Sequence, residues 1–378
     1  MNPFNAEHEE LRESIRRFVA NELRPHAREW EDARWFPNEV FPRMGELGFL
    51  GLKYPEEYGG QGGGYLHDAV FTEELSGCGS GGVAAGIGAH VGIATPPVWK
   101  FGTEDQKQRY LVPAIRGEKI AALGITEPDA GSDVAGIKTR ATRVDGGWTV
   151  NGSKMFITNG VRADFVVTAV KTTAEGGHHG ISFLLVDTDQ PGYQADKIEK
   201  MGWHASDTAL ISLDDVFVPD ENLLGGENEG FKLIMANFQW ERLLMALGSV
   251  AAMQNAFNKT VQYVSERQAF GRPIGQFQVL KHRLADHATT IHAARTVTYD
   301  ALGRFAAGED VTKEVTMAKL ITQRNAFDLI DDCLQMHGGA GYMKEYDLER
   351  AARDSRLGPI GGGTDEIMRE IVGRSYGL

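Results

Sequence analysis

The stretch FKLIMANFQWERLLMALGSV, residues 231–250, largely decides which fold this chain can adopt. Its apolar residues recur at intervals of three and four positions, the period of an α-helix that buries most of its surface. Two adjacent charges, Glu241 and Arg242, interrupt it. The stretch therefore predicts a buried helix, with a charged pair that needs an explanation of its own.

From about residue 229 onward the chain has only helical patterns. They run over residues 229–265, 277–307, 313–337, 347–356 and 364–375. Long helices joined by short loops pack as a bundle. We therefore predict a C-terminal helical bundle over residues 229–378.

The region before the bundle has the composition of a β-domain. Its β-rich runs are Thr139–Val144, Trp148–Val150, Phe165–Lys171, Ile181–Asp187 and Ala209–Val218. The turn signals between strands are Asp145-Gly146-Gly147, Asn151-Gly152, Asn159-Gly160 and Gly176-Gly177. Short strands separated by such turns predict an antiparallel barrel or sandwich over residues 121–228.

The first 120 residues are again helical in pattern. An amphipathic stripe that ends near Pro25 consists of Leu11, Ile15, Phe18, Val19 and Leu23. A second helix is predicted from Glu104 to Leu111, with Thr103 as its cap. The fold class is therefore a multidomain α+β protein. It has an N-terminal helical domain (1–120), a middle β-domain (121–228) and a helical bundle (229–378).

Composition limits the possible partners and compartments. A net charge of −13 argues against nucleic acid. The two cysteines, Cys78 and Cys333, are far apart, which excludes a disulfide framework and a thiolate metal site. Glycine, histidine and proline break the most apolar long stretch, residues 83–98, so no membrane span is predicted. We expect a soluble, cytoplasmic protein.

Glu241 is the best candidate for a catalytic base. A carboxylate is costly in a buried helix unless it is paired or has a chemical role. An ion pair with Arg242 on a partly solvated stripe is the structural alternative, and the pattern alone leaves both open.

Four further segments have compositions that suit a ligand. Residues 124–133 (GITEPDAGSD) leave a strand and offer N–H groups and hydroxyls to a planar or anionic ligand. Residues 154–160 (KMFITNG) place Phe156 and Thr158 on one face of a predicted strand. Residues 265–272 (SERQAFGR) carry two arginines that suit a phosphate, and residues 335–342 (QMHGGAGY) end a helix in glycines. Each segment also has a structural explanation. In the same order, these are a surface turn, a packed strand, an interhelix loop and a helix cap.

In combination, and in this order, these segments resemble the acyl-CoA dehydrogenase family of FAD-dependent enzymes. The resemblance covers essentially the whole chain and includes a fifth segment, GGTDEI at 362–367. It implies FAD as cofactor, an acyl-CoA substrate and electron-transferring flavoprotein as electron acceptor. It also implies a homotetramer built as a dimer of dimers.

The resemblance also implies roles for residues at matching positions. Those expected at the flavin or its phosphates are Leu123, Ile125, Thr126, Gly131, Ser132, Phe156 and Thr158. Phe156 would lie behind the ring, where many members carry Trp, and Thr158 would donate to its N5 edge. Those expected to hold the ADP half across a subunit interface are Arg267, Phe270, Gln278, Gln335, Gly338 and Gly339. Thr364 and Glu366 would lie near the adenosine and the dimethylbenzene side. Those expected at the substrate are Ser132, Phe238, Arg242, Gly362 and Gly363.

One departure from the family pattern concerns the base. Many members carry their catalytic glutamate in an Ile-Tyr-Glu-Gly-Thr segment, which here reads Ile360-Gly361-Gly362-Gly363-Thr364. Long-chain and isovaleryl members carry it instead on the first long bundle helix, just before an Arg. That position is Glu241, which the resemblance implies takes the α-proton while the β-hydrogen leaves as hydride to the flavin.

The glycines at 361 and 362 predict space on the C-terminal side of the pocket, and hence a long or branched acyl group. The sequence leaves two alternative functions. A flavin-dependent monooxygenase or oxidase of the same fold needs no base, so Glu241 argues against it. A non-catalytic FAD-binding scaffold is the other.

Overall fold

The computed structural model describes residues 2–173 and 177–378. Helices come first, then a sheet, then helices again, which confirms the predicted fold class. Gly176, part of a predicted turn, lies outside the described residues. Within the described ranges, none of the helices combines the length and apolar character that crossing a lipid bilayer requires.

Short helices make up the N-terminal region. They are α1 (Ala6–Phe18), α2 (Ala27–Ala33), α3 (Val40–Glu46), α4 (Tyr65–Leu75), α5 (Gly81–Gly88), α6 (Thr95–Phe101), α7 (Glu104–Gln106) and α8 (Val112–Ile115). Turns of π-helix extend α1, α5 and α7. The predicted cap is confirmed, since Thr103 Oγ1 accepts a hydrogen bond from Gln106 N at 3.2 Å.

The middle region is one eight-stranded sheet. Its strands are β1 (Ala121–Gly124), β2 (Arg140–Val144), β3 (Gly147–Ile157), β4 (Phe165–Lys171), β5 (Ile181–Asp187), β6 (Tyr193–Lys197), β7 (Ala209–Pro219) and β8 (Leu223–Leu224). The order is β6-β7-β3-β2-β4-β5-β8, and β1 pairs with β4. Most neighbours are antiparallel, but β4 pairs in parallel with β1 and, at one position, with β2.

Two local predictions in this sheet were wrong. Asn151-Gly152 is not a turn; it lies inside β3, where the register with β7 shifts and Gly152 has a φ of +146°. A β-bulge absorbs one extra residue without reversing the strand. Phe156 and Thr158 do not share a strand face, because β3 ends at Ile157 and Phe156 has a left-handed backbone (φ +63°).

The C-terminal region is helical at the predicted positions. Its helices are α9 (Gly230–Glu266), α10 (Gln278–Ala306), α11 (Thr312–Met336), α12 (Leu348–Ser355) and α13 (Asp365–Arg374). A small hairpin of β9 (Gln268–Ala269) and β10 (Arg272–Pro273) joins α9 to α10.

All three regions share one apolar core, which fixes where α9 lies. Tyr54 and Val98 of the N-terminal helices, Phe183 of the sheet, and Leu233 and Ile234 of α9 belong to the same buried cluster. The beginning of α9 is therefore held against both the sheet and the N-terminal helices. This places Glu241 at the junction of the three regions.

Candidate active site

Glu241 is buried on α9 and has a neutral hydrogen-bond partner. Its side chain accepts a hydrogen bond from Asn237 Nδ2 at 2.5 Å, and that amide also donates to Ile93 O at 3.1 Å. Among residues 2–173 and 177–378 Glu241 forms no ion pair, so the alternative of an Arg–Glu pair is not realised. Burial raises the pKa of Glu241 to about 8, against the opposing effects of Asn237 and Arg242. A carboxyl group in this state can take up a proton near neutral pH.

Arg242 contacts the glycine-rich turn of residues 358–363, which we call the glycine turn. Its Nε donates to Gly362 O at 3.3 Å, and its guanidinium lies 5.4 Å from the ring centre of Phe238. Lys319, which has no exposed surface, donates to Gly358 O at 3.0 Å and to Gly363 O at 2.6 Å. Two cations therefore fix the turn opposite Glu241. A lysine among the apolar positions of α11 was the sequence signal for this anchor, and it was missed.

The space predicted at the glycine turn is partly filled. Gly362 has a φ of +63°, and a Cβ atom built there would lie 2.5 Å from Met245 Sδ. Met245 follows Glu241 by one helical turn, so one face of α9 presents both side chains. The prediction of free space at Gly362 was therefore wrong, although the atom that fills it belongs to a flexible side chain.

Glu241 and Met245 line an apolar cavity of about 330 Å³. Thr158 from the middle region and Gly358 from the glycine turn line it as well. The positions of α9 that line it are Glu241, Leu244, Met245, Gly248, Ser249, Ala252, Asn255, Ala256 and Lys259. The facing wall consists mainly of small residues: Gly79, Gly81, Ala84, Ala85, Gly88, Ala89 and Gly92. Predicted substrate residues Ser132, Phe238, Arg242, Gly362 and Gly363 are not part of this lining.

The two motifs expected at the flavin ring lie side by side. Lys154 Nζ donates to Ile125 O at 3.2 Å, and Met155 N donates to Thr126 O at 2.8 Å. Lys154 is also paired with Glu127 at 2.7 Å in the interior, and burial lowers its pKa to about 8. The buried pair, which sequence reasoning did not identify, fixes the loop that follows β1 to the end of β3.

Polar and aromatic groups remain available around this junction. Phe156 is 60% exposed, although it follows the buried Lys154. Ser132 and Gly131 are exposed, and a Cβ built at Gly131 would meet nothing within 4 Å. Leu123 is partly buried on β1. An exposed aromatic ring and an exposed loop with backbone donors are groups that can hold a planar ligand.

The residues expected at the ADP half form a separate surface cluster. Phe270 is 94% exposed at the tip of the hairpin, and Arg267, Gln278, Gln335, Gly338 and Gly339 are exposed as well. The helix ends that carry them adjoin, because the Tyr263 ring stacks on His337 at 4.1 Å. The surface cluster contributes nothing to the cavity. Thr364 caps α13, and Glu366 is exposed on its first turn.

Comparison with known proteins covers all three regions. The family models for the N-terminal, middle and C-terminal domains of acyl-CoA dehydrogenase match residues 5–118, 122–216 and 228–377. A mitochondrial isovaleryl-CoA dehydrogenase of Solanum tuberosum is 37% identical, over 98% of this chain and 90% of its own. A mitochondrial long-chain specific acyl-CoA dehydrogenase of Mus musculus is 38% identical, over 98% and 86%.

The fold agrees equally well with a solved structure. The crystal structure of an acyl-CoA dehydrogenase from Geobacillus kaustophilus matches with a TM-score of 0.97 and 41% identity, over 99% of both chains. Domain models and relatives of this similarity imply a flavin cofactor and the dehydrogenation of an acyl-CoA. The chain belongs to the acyl-CoA dehydrogenase family of oxidoreductases.

Proposed function

We propose that this protein is an FAD-dependent enzyme that converts a long-chain or branched acyl-CoA to the trans-2-enoyl-CoA, with Glu241 as base. The observation that carries the proposal is the position of Glu241. It is a buried carboxyl group at the junction of three regions, it lines an apolar cavity together with Thr158, and its described contacts include no ion pair. A structural carboxylate in such a place would be expected to have a cation beside it.

The residues around the β1–β3 junction suit FAD. Phe156 offers an exposed aromatic face, and Thr158 a hydroxyl at the cavity wall. Gly131 and Ser132 form an exposed loop whose N–H groups donate to no backbone group within the described residues. Leu123, Ile125 and Thr126 would complete the flavin side. When bound there, FAD supplies the acceptor for the hydride that leaves the β-carbon.

Glu241 performs the proton transfer in this proposal. Its ionised carboxylate takes the α-proton of the acyl group, and Asn237 Nδ2 holds the carboxylate in one orientation. The surrounding apolar wall excludes water, which keeps the pKa of Glu241 near 8. A base with this pKa is matched to a weak carbon acid better than an exposed glutamate would be.

The glycine turn supplies the stabilisation of the developing enolate. Arg242 and Lys319 hold the carbonyl groups of Gly362 and Gly363, and the Gly362 N–H donates to no group within the described residues. We assign that N–H to the thioester oxygen. A preorganised donor of this kind contributes about 3 kcal/mol to the transition state. Arg242, Phe238 and Gly363 would then lie along the CoA arm, with Ser132 near the pantetheine.

The surface cluster completes the cofactor site of a neighbouring subunit. Arg267 and Gln335 offer charged and amide donors to a pyrophosphate, while Phe270 and Gln278 flank them on an exposed face. Gly338 and Gly339 allow close backbone approach, since a Cβ built at either would meet nothing within 4 Å. Thr364 and Glu366 would approach the adenosine and dimethylbenzene parts. We therefore propose a homotetramer, a dimer of dimers, whose assembly and FAD retention are coupled.

The family resemblance suggests electron-transferring flavoprotein as the electron acceptor of the reduced flavin. The composition suggests the cytoplasm as the compartment. The domain limits 1–120, 121–228 and 229–378 belong to the same proposal.

Anaerobic titration of the purified flavoprotein with acyl-CoA tests the reaction. Hexadecanoyl-CoA or isovaleryl-CoA should bleach the oxidised flavin band within seconds. Bleaching only by an external reductant, with reoxidation by oxygen, would favour a monooxygenase or oxidase of the same fold. A band that no acyl-CoA changes would favour a scaffold. Glu309→Gln, a change at an exposed carboxylate on the bundle surface, serves as the control and should bleach normally.

A further inference from the structure

The cavity beside Glu241 continues far beyond the reactive position. Along α9 its first lining residue is Glu241 and its last is Lys259, eighteen residues later. At about 1.5 Å of rise per residue, the two lie about 27 Å apart along the helix axis. The reacting carbons of an acyl thioester need only a small part of that length.

Small and apolar side chains form the walls between the two ends. The α9 side presents Met245, Gly248 and Ala252, and Ala85 and Gly88 lie on the facing wall. A polymethylene chain fits such walls without leaving a polar group unpaired. An ionised group held here would lose its hydration and gain no counter-charge.

The far end has a different chemistry. Lys259 Nζ lies 2.7 Å from Asp347 Oδ2, and both side chains are 36% exposed. Asp347 also accepts a hydrogen bond from Arg350 Nη2 at 2.6 Å. Asn255 adds an amide to the lining. One carboxylate thus faces two cations at this partly hydrated end of the cavity.

Asp354 is a further carboxylate near this end, and its oxygens are already engaged. They accept hydrogen bonds from Gly81 N at 2.9 Å and from Trp203 N at 2.6 Å. Burial, followed by the charge of Glu31, raises the pKa of Asp354 to about 7. Within the described residues, Asp354 is thus held by backbone N–H groups and forms no ion pair with Lys259.

We propose that the cavity is an acyl channel with a second, polar mouth at Lys259 and Asp347, and that the enzyme oxidises ω-carboxyacyl-CoA as well as plain long-chain acyl-CoA. This inference rests on the proposed function and names its substrate class. The reacting carbons are those of a plain acyl group, so Glu241 takes the same α-proton and the ω-carboxylate stays unchanged. It would bind Lys259 in place of, or beside, Asp347.

The proposal predicts that only ω-carboxyacyl groups of a certain length can bind. A fully extended chain advances about 1.2 Å per bond, one third of the extended peptide repeat. With the lysine side chain reaching inward, a chain of about 16 to 20 carbons brings its far end to Lys259. A dicarboxylic chain of eight carbons would instead leave its carboxylate beside Gly248 and Ala252, where the lining offers no cation. A channel closed at the far end would reject dicarboxylic chains of every length.

Four thioesters test the proposal on the tetrameric holoenzyme: octanoyl-, octanedioyl-, hexadecanoyl- and hexadecanedioyl-CoA. We expect kcat/KM for hexadecanedioyl-CoA within about fivefold of hexadecanoyl-CoA, and for octanedioyl-CoA at least 100-fold below octanoyl-CoA. Titration calorimetry on Glu241→Gln, which should bind without turnover, gives the same comparison independently of the chemical step.

Lys259→Met supplies the decisive variant. It should lower kcat/KM for hexadecanedioyl-CoA at least tenfold more than it changes kcat/KM for hexadecanoyl-CoA, because only the first substrate places a charge at Lys259. Lys313→Met, at a partly exposed lysine away from the channel, is the matched control and should change neither.

Two results would overturn the second mouth. One is a kcat/KM for hexadecanedioyl-CoA that lies as far below the value for hexadecanoyl-CoA as the value for octanedioyl-CoA lies below that for octanoyl-CoA. The other is that Lys259→Met lowers kcat/KM for hexadecanoyl-CoA and for hexadecanedioyl-CoA by the same factor. In either case bleaching by hexadecanoyl-CoA leaves the proposed function standing. If no plain acyl-CoA bleaches the flavin, the proposed function and this inference fall together.

Discussion

The site around Glu241 and the surface cluster around Phe270 are built in opposite ways. Glu241 is 7% exposed, its carboxylate is held by Asn237, and the facing glycine turn is fixed by Arg242 and Lys319. Phe270 is 94% exposed at the tip of a two-stranded hairpin. One region is completed by the packing of a single chain, and the other presents its side chains to solvent.

In the proposed function, this difference separates what one subunit does from what assembly does. In the proposed mechanism, burial within one chain gives Glu241 the pKa that proton transfer needs. An exposed aromatic residue with adjacent donors gains its function only when a second surface covers it. We therefore expect variants of the two regions to fail in different measurements.

The largest effect is expected at Glu241. Glu241→Gln should keep FAD, assembly and acyl-CoA binding but lose at least three orders of magnitude in kcat, because an amide cannot accept the α-proton. Single-turnover flavin bleaching measures this directly. If the variant keeps more than about a tenth of the wild-type kcat, another group is the base. Glu309→Gln should retain full kcat.

The sequence predicted the parts of this site that have a local pattern, and not the parts that depend on contacts between distant residues. Glu241 was identifiable because a charged residue among the apolar positions of a helix is unusual. The limits of the long helices were predicted within one or two residues because their apolar residues recur with the helical period. Asn237 and Met245 lie one turn before and after Glu241, so helical spacing could have pointed to them, but the sequence analysis did not identify them. Their roles depend on Ile93 and Gly362, which are distant in sequence.

The sheet was harder to derive than the helices. β4 and β5 were predicted at their observed limits, because both are continuous buried apolar runs. The bulge at Gly152 and the left-handed backbone at Phe156 have no local signature that distinguishes them from a turn and a regular strand. The pairing of β1 with β4 depends on packing between remote segments.

The second effect concerns the surface cluster and should spare the proton transfer. Arg267→Ala should weaken FAD retention about 30-fold, since a hydrogen bond from a charged group contributes about 2 kcal/mol. Phe270→Ser should shift the assembly toward dimers or monomers. Sedimentation velocity and the flavin-to-protein ratio after dilution report both. A stable monomer with full FAD occupancy would refute the coupling. Phe217→Ser, at a half-exposed aromatic residue on the sheet, is the control.

The third effect belongs to the cavity alone. We expect kcat/KM for acyl groups of eight or more carbons, or for branched ones, to exceed that for butyryl-CoA at least tenfold. Tenfold requires about 1.4 kcal/mol, roughly two buried methylene groups. The ratio should be the same in Arg267→Ala, once FAD is supplied in excess, because the surface cluster does not touch the cavity. Butyryl-CoA as best substrate would show that Leu244 or Met245 closes the channel.

The smallest effect is a shift in pH dependence, and it tests whether Asn237 acts on the base or merely supports the fold. Glu241 works as a base only when ionised, so kcat/KM should rise about tenfold per pH unit up to about 8 and level off above it. The Asn237 hydrogen bond lowers the pKa of Glu241, so Asn237→Leu should raise it further. The variant should therefore lose up to about tenfold in kcat/KM at pH 7 and approach wild type at high pH. A purely structural role would lower the whole profile without moving its midpoint. Asn258→Leu, on the same helix but outside the cavity lining, should leave the midpoint where it is.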